Sequence, residues 1–337
     1  MADNLCRKYY LMNEKKTRRR LPSLIRWIGW VLLFQLFLIN ISASIYAYRL
    51  THFYNDPSLN GSHSSGNIFR KTWKLFTGPK FPKSVIGDKR PGFAYDSIQL
   101  KTKNGLTIDA WYAEPDSASR GTVVLFHGLS ANKSYMIYEA GTFRLMGFRV
   151  LMVDFRAHGN SDGQTTTIGR NETEEVKLAF DYLKAKGEKN IFLWGVSMGA
   201  VVIARTVAEE GIQPAGIIME LPFASLQSHL KARARVLGFP QQPFAFLVTG
   251  WIGIERGFNG YKHSTVNYAA NIHCPVLVQY GARDTYVLKS EIDEIYKAIP
   301  VPGKQLVGYE EAGHESLLLS DPDLWKKTIS AFLSEKN

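Results

Sequence analysis

Gly195-Val196-Ser197-Met198-Gly199 stands between a short apolar run, Ile191-Phe192-Leu193-Trp194, and a stretch of small and apolar residues, Ala200-Val201-Val202-Ile203-Ala204. A buried strand that breaks sharply into a helix, with serine at the bend, is the setting in which G-x-S-x-G presents a nucleophile. The glycines let backbones approach where a Cβ would clash, and the helix N-terminus below favours developing negative charge. A serine hydroxyl becomes reactive only when a base takes its proton and an acid fixes that base's tautomer. Of the eight histidines, His314 in Glu311-Ala312-Gly313-His314-Glu315 is the one that follows the turn Tyr280-Gly281-Ala282-Arg283-Asp284. Ser197, Asp284 and His314 thus occur in the chain order serine, acid, histidine. The chemistry open to them together is acyl transfer.

Two further groups complete that chemistry. An oxyanion needs preorganised N–H donors, each commonly worth about 3 kcal/mol in the transition state. The N–H of Met198, directly after the serine, is one candidate; the other is Leu129 in His127-Gly128-Leu129-Ser130, where Gly128 lets the chain turn and His127 shapes the loop. Glu220, at the end of the strand after the serine's helix, is a rival to Asp284 as the acid. A second match to the serine pattern, Gly159-Asn160-Ser161-Asp162-Gly163, has neither a strand directly before it nor an apolar helix after it, so Ser161 reads as structural.

The surrounding elements are those that could carry such residues to one edge. Asn104-Gly105 between two alternating segments signals a hairpin. From Gly121 the pattern becomes solid apolar runs at 122–126, 149–153, 190–194, 216–219, 275–280 and 305–308, separated by helical stretches. Solid runs are strands covered on both faces, and their alternation with helices predicts an α/β fold with a mostly parallel sheet. Side chains after consecutive parallel strands emerge at the carboxyl edge, where Asp284 and His314 would join Ser197. About fifty residues separate Glu220 from Pro275, and this crossover predicts a small helical lid over about 221–270. Within it, 225–236 reads as a helix with Lys231, Arg233 and Arg235 on a solvated face, and the apolar run 243–252 reads equally well as lid or as core helix.

The chain has 337 residues and a net charge of +11, a balance that suggests nucleic acid or membrane until it is placed. Residues 1–26 carry +6 of it, with eight basic against two acidic residues, and the remainder is only mildly basic, so no nucleic-acid partner follows. Residues 27–48 contain no charge and would span about 33 Å as a helix. Trp27, Trp30, Tyr46 and Tyr48 sit where interfacial aromatics belong. The expected order is a basic cytoplasmic tail (1–26), a transmembrane anchor (27–48), a stalk (49–91) and an exported domain (92–337); secretion after signal cleavage is the alternative. Cys6 and Cys274 would lie on opposite sides of that membrane, so no internal disulfide is expected.

HGLSANK at 127–133, DFRAHGNSDG at 154–163, GVSMGA at 195–200, YGARDTYV at 280–287 and AGHESL at 312–317 together resemble the alpha/beta-hydrolase superfamily. Within it the chain is similar to membrane-tethered serine hydrolases of the monoacylglycerol lipase and serine aminopeptidase-like kind. The resemblance covers about 92–335 and implies Ser197, Asp284 and His314 as a triad, with Leu129 and Met198 as oxyanion donors. It implies no metal and no organic cofactor. The expected activity is hydrolysis of an ester with a hydrophobic, lipid-like acyl chain. An amidase or peptidase using the same triad and a membrane-anchored binding protein without activity are the alternatives.

Overall fold

The computed structural model describes residues 23–56, 58–59, 73 and 76–334. The basic tail up to residue 22 and most of the stalk's Pro/Gly/Ser/Asn segment lie outside the described residues. The chain divides into two units, Met1–Ile41 and Ser42–Asn337. In the first, the described residues are the opening turns of helix α1 (Ser23–Leu50), whose large apolar side chains are mostly exposed. α1 is the one described helix long and apolar enough to cross a membrane.

The second unit is built on an eight-stranded sheet ordered β10-β9-β8-β7-β5-β6-β4-β3. Its strands are β3 (Asp96–Lys101), β4 (Thr107–Ala113), β5 (Thr122–Phe126), β6 (Arg149–Val153), β7 (Ile191–Val196), β8 (Gly216–Glu220), β9 (Val276–Gly281) and β10 (Gln305–Tyr309). β4 pairs antiparallel with β3 and β6, and every other pairing is parallel. Gly105, with φ +82°, supplies the left-handed residue of the β3–β4 hairpin.

The solid apolar runs have the expected cause. On one face Val124, Phe126, Leu151, Val153, Leu193, Ile217 and Val276 join a core shared with α3 (Thr173–Ala185) and α4 (Met198–Glu209). On the other, Val123, Leu125, Val150, Met152, Phe192, Ile218 and Leu277 pack with α2 (Ile137–Leu145) and α10 (Pro322–Ser334). Every strand residue from Thr122 to Phe126 is buried, because period-2 alternation here separates two cores and not core from water.

The lid region holds α5 (Leu226–Leu237), α6 (Gln241–Arg256) and α7 (Thr265–Ala269), and α8 (Lys289–Ala298) and α9 (Leu317–Ser320) follow β9 and β10. α6 buries Ala245, Val248 and Ile252 and exposes Phe246 and Ile254, so the run 243–252 serves as core on one face only.

At the amino-terminal boundary the structure differs from an anchor ending at 48 followed by a free stalk. Ala43, Tyr46, Ala47 and Leu50 lie in the core of the second unit, and Ser44 Oγ donates to Glu255 on α6. Beyond them β1 (Phe53–Tyr54) pairs in parallel with β2 (Phe81–Pro82), and Phe53 and Ile86 are buried. The last turns of α1 and the described ends of 49–91 are therefore packed parts of the domain, which an apolar run reads identically to lipid-facing helix.

Candidate active site

β7 ends at Val196, and the chain turns through Ser197 into α4 with almost no space to spare. A Cβ on Gly199 would fall 2.2 Å from the Phe126 carbonyl oxygen, and one on Gly195 would fall 2.6 Å from the Gly199 carbonyl carbon. Both positions therefore require glycine. Ser197 itself adopts φ 52° and ψ −114°, a region that costs a non-glycine residue about 1–3 kcal/mol. The turn is held by the Ser197 N–H, which donates to the Glu220 carbonyl oxygen at 2.8 Å.

His314 and Asp284 reach this serine from the loops after β10 and β9. His314 Nε2 lies 3.1 Å from Ser197 Oγ, and its Nδ1 lies 2.7 Å from Asp284 Oδ2. The other Asp284 oxygen accepts from the N–H groups of Tyr286 (2.7 Å) and Val287 (2.9 Å), which fixes the carboxylate in the turn. With Nδ1–H held by Asp284, Nε2 faces the serine as an acceptor and can take its proton.

Gly128 lies against the nucleophile, since a Cβ there would be 3.5 Å from Ser197 Cβ. Neither the Leu129 nor the Met198 N–H donates to a protein acceptor among the described residues, so both are free to hold an anion. His127 is fully buried below this loop: its Nδ1 bonds the Gly128 carbonyl oxygen (2.7 Å) and its Nε2 accepts from Phe155 N–H (3.1 Å). Burial holds its pKa down at about 4, so it stays neutral and shapes the loop. Ser161 is also structural, donating to the Asp154 carbonyl oxygen and accepting from the Asp109 N–H.

Among the described residues Glu220 forms no hydrogen bond or ion pair with His314, whose partners are Asp284 and Ser197. Glu220 Oε1 accepts from the indole N–H groups of Trp194 (2.8 Å) and Trp325 (2.7 Å). Burial, with Glu139 nearby, pushes its pKa up to about 8. Glu139 is raised likewise by burial; it accepts from Ser316 Oγ at 2.5 Å and leaves its second oxygen unpartnered. The Glu139 contact spans 177 residues of sequence, and no local signal marks it.

A pH prediction follows from Glu220. The unfolded chain releases this proton near pH 4.5 and the folded chain holds it to about 8, so the stability tied to the neutral carboxyl is fully present below about pH 4.5 and lost as pH rises through about 8. Glu220→Gln keeps an acceptor for both indoles and removes the titration. Thermal melts from pH 5 to 9 should show the variant gaining on the wild type as pH rises; a constant difference would mean that Glu220 is ionised in the fold.

The cavity beside Ser197 holds about 410 Å³ and is lined by Leu129, Tyr135, Met136, Trp194, Val196 and Leu221 together with the polar groups above. Arg233, which the helical pattern puts on a solvated face, also lines it. Among the described residues no cluster of His, Cys, Asp and Glu could hold a metal ion.

Comparison with known proteins finds hydrolases among the similar chains. The model of a family described as serine aminopeptidase, S33 matches residues 117–251. An uncharacterized Bacillus subtilis protein, YqkD, is 26% identical over 237 residues, which cover 69% of this chain and 77% of that protein. Lysophosphatidylserine lipase ABHD12 of Xenopus tropicalis is 24% identical over 64% of this chain, which spans 55% of the frog protein. Among solved structures, the Pyrococcus furiosus esterase Pf2001 superposes with a TM-score of 0.62 at 26% identity, over 76% of this chain and 98% of that one.

Proposed function

We propose that this chain, whose fold and similarities are those of the alpha/beta-hydrolase superfamily, is a serine hydrolase that cleaves carboxylic esters through an acyl-enzyme on Ser197. The observation that carries this reading is the continuous hydrogen-bonded line from Ser197 Oγ through His314 to Asp284, opening on a cavity. Ser197 Oγ attacks the carbonyl carbon as its proton passes to His314 Nε2. The N–H groups of Leu129 and Met198 hold the oxyanion, and His314 then returns the proton to the departing alkoxide. Water, deprotonated by the same nitrogen, hydrolyses the acyl-enzyme.

The apolar side of the cavity, from Leu129 through Met136 to Leu221, favours a hydrophobic acyl chain. An esterase and a lipase among the similar proteins point the same way. The test is a series of p-nitrophenyl esters from acetate to palmitate, read against Ser197→Ala. Serine-dependent turnover with a maximum at medium or long chains is the expected result, and turnover only of acetate would remove the lipid-like substrate.

Amide hydrolysis is a second reading, because Glu139 and Glu220 line the same cavity and could receive a free amine. Both carboxyls are held toward their neutral forms, which weakens that attraction. Aminoacyl p-nitroanilides cleaved faster than the esters would reverse the order.

The basic excess in residues 1–26 supports a cytoplasmic amino end with the body across the membrane. Protease added to intact cells should then digest the body and spare an amino-terminal tag; a spared body would overturn this orientation.

A further inference from the structure

We propose that Arg233 forms an anion subsite for the alcohol half of the substrate, so that the preferred esters carry a phosphate or carboxylate on the leaving group. This rests on the ester reading of Ser197 and adds the chemistry of the group that departs.

Arg233 is on α5, one turn after His229, and both side chains line the active-site cavity. The guanidinium lies over the ring of Phe81, 4.9 Å from its centroid, which favours a cation without satisfying its N–H donors. The phenols of Tyr46 and Tyr286 offer it neutral hydrogen-bond acceptors. No acidic residue forms an ion pair with it among the described residues, and its Nε is buried without a partner. The carboxyls that share the cavity, Glu139, Glu220 and Glu315, form no bridge to it either. Arg235 on the same helix also buries an unpartnered Nε but spends its terminal nitrogen on the carbonyl oxygens of Thr285 and Tyr286.

A guanidinium kept in a cavity wall without a counter-charge is costly, and an arriving oxyanion removes that cost. The side of the cavity is set by His314. The leaving oxygen must face His314 Nε2 to receive its proton, and the ring of Tyr286 lies against His314 with centroids 5.1 Å apart. The Tyr286 hydroxyl in turn sits 3.3 Å from His229 Nδ1. Arg233 follows directly, so a charged group a few bonds beyond the leaving oxygen meets it. Burial and the nearby Arg233 hold His229 well below its ordinary pKa, so it offers no competing charge.

The test uses the full-length chain in detergent micelles and three esters of one acyl chain: monoacylglycerol, the matching monoacylglycerol phosphate, and the matching acyl glycerate. Wild type should favour an anionic ester over the neutral one by tenfold or more in kcat/KM, and the phosphate-to-glycerate ratio identifies which oxyanion fits. Arg233→Met should bring that preference to about one, and Arg233→Lys should recover part of it. No preference in wild type, or an equal loss on all three esters in Arg233→Met, overturns the subsite. A second measurement needs no turnover: glycerol 3-phosphate or glycerate should raise the melting temperature of Ser197→Ala where glycerol does not, and adding Arg233→Met should abolish the shift. A shift that survives Arg233→Met, or none in Ser197→Ala, rejects the subsite. Anion binding without serine-dependent hydrolysis would reject the ester reading and keep the subsite.

Discussion

Ser197→Ala should lower ester turnover by about 10⁴-fold or more while leaving the fold intact, since a triad works as a unit and loses most of its rate with any member. The structural side of this expectation is specific. Among the described residues Ser197 Oγ bonds His314 Nε2 alone, so its loss strands no buried group there. Alanine inherits the same φ of 52° and the same strain, and its melting temperature should stay within about 2 °C of wild type. Ser197→Gly separates the two properties. Glycine adopts this backbone region freely, so the glycine variant should be inactive yet melt higher than wild type. Esterase assays and melts on the three proteins check both halves. Activity retained in Ser197→Ala would remove the serine as nucleophile, and a lower melt for Ser197→Gly would mean that the turn is not strained. A wild type without turnover on any ester or amide would leave the binding-protein alternative.

The parts of this molecule that were legible in the sequence are those written in local patterns. The six solid apolar runs became parallel strands, buried at both parities in β5 to β9 and half-buried in the edge strand β10, and the strand ends agree to within two residues. Ser197 was legible because its turn needs glycine at 195 and 199, and that need is visible as spacing. Arg233 was not, because its neighbours Lys231 and Arg235 make the helix read as a charged outer face; the tertiary fold turns one member of that row inward. Glu139 was hidden for a related reason: its partner Ser316 follows His314 on another loop. Residues 42–48 read as membrane span, because the face of α1 that meets Phe244 and the α6 core has the composition of a lipid-facing one. Hydropathy measures aversion to water and cannot tell which apolar medium replaces it.

Lys133→Met should be the most destabilising single substitution outside the hydrophobic core, by about 3–5 kcal/mol, because it leaves carboxylates buried without their cation. Lys133 is fully buried, and its ammonium pairs with Asp154 and, at 2.5 Å, with Asp109, while lying 4.8 Å from the Trp111 ring centroid. Asp154 is equally buried and accepts from the Lys133 N–H at 2.7 Å and the Asn160 N–H at 2.9 Å. One lysine thus ties the end of β6 to the loop that begins at His127 and carries Leu129. Methionine keeps most of the length of the side chain, one atom shorter, but not its charge, so denaturant midpoints should fall steeply. Asp154→Asn in the Lys133→Met background should restore part of the loss, since it removes the carboxylate that the first change strands. Turnover should fall further than stability in Lys133→Met measured below its melting temperature, as the Leu129 N–H loses its fixed position. A loss below about 1 kcal/mol would mean that water reaches the cluster, and unchanged turnover would release the oxyanion loop from any dependence on it.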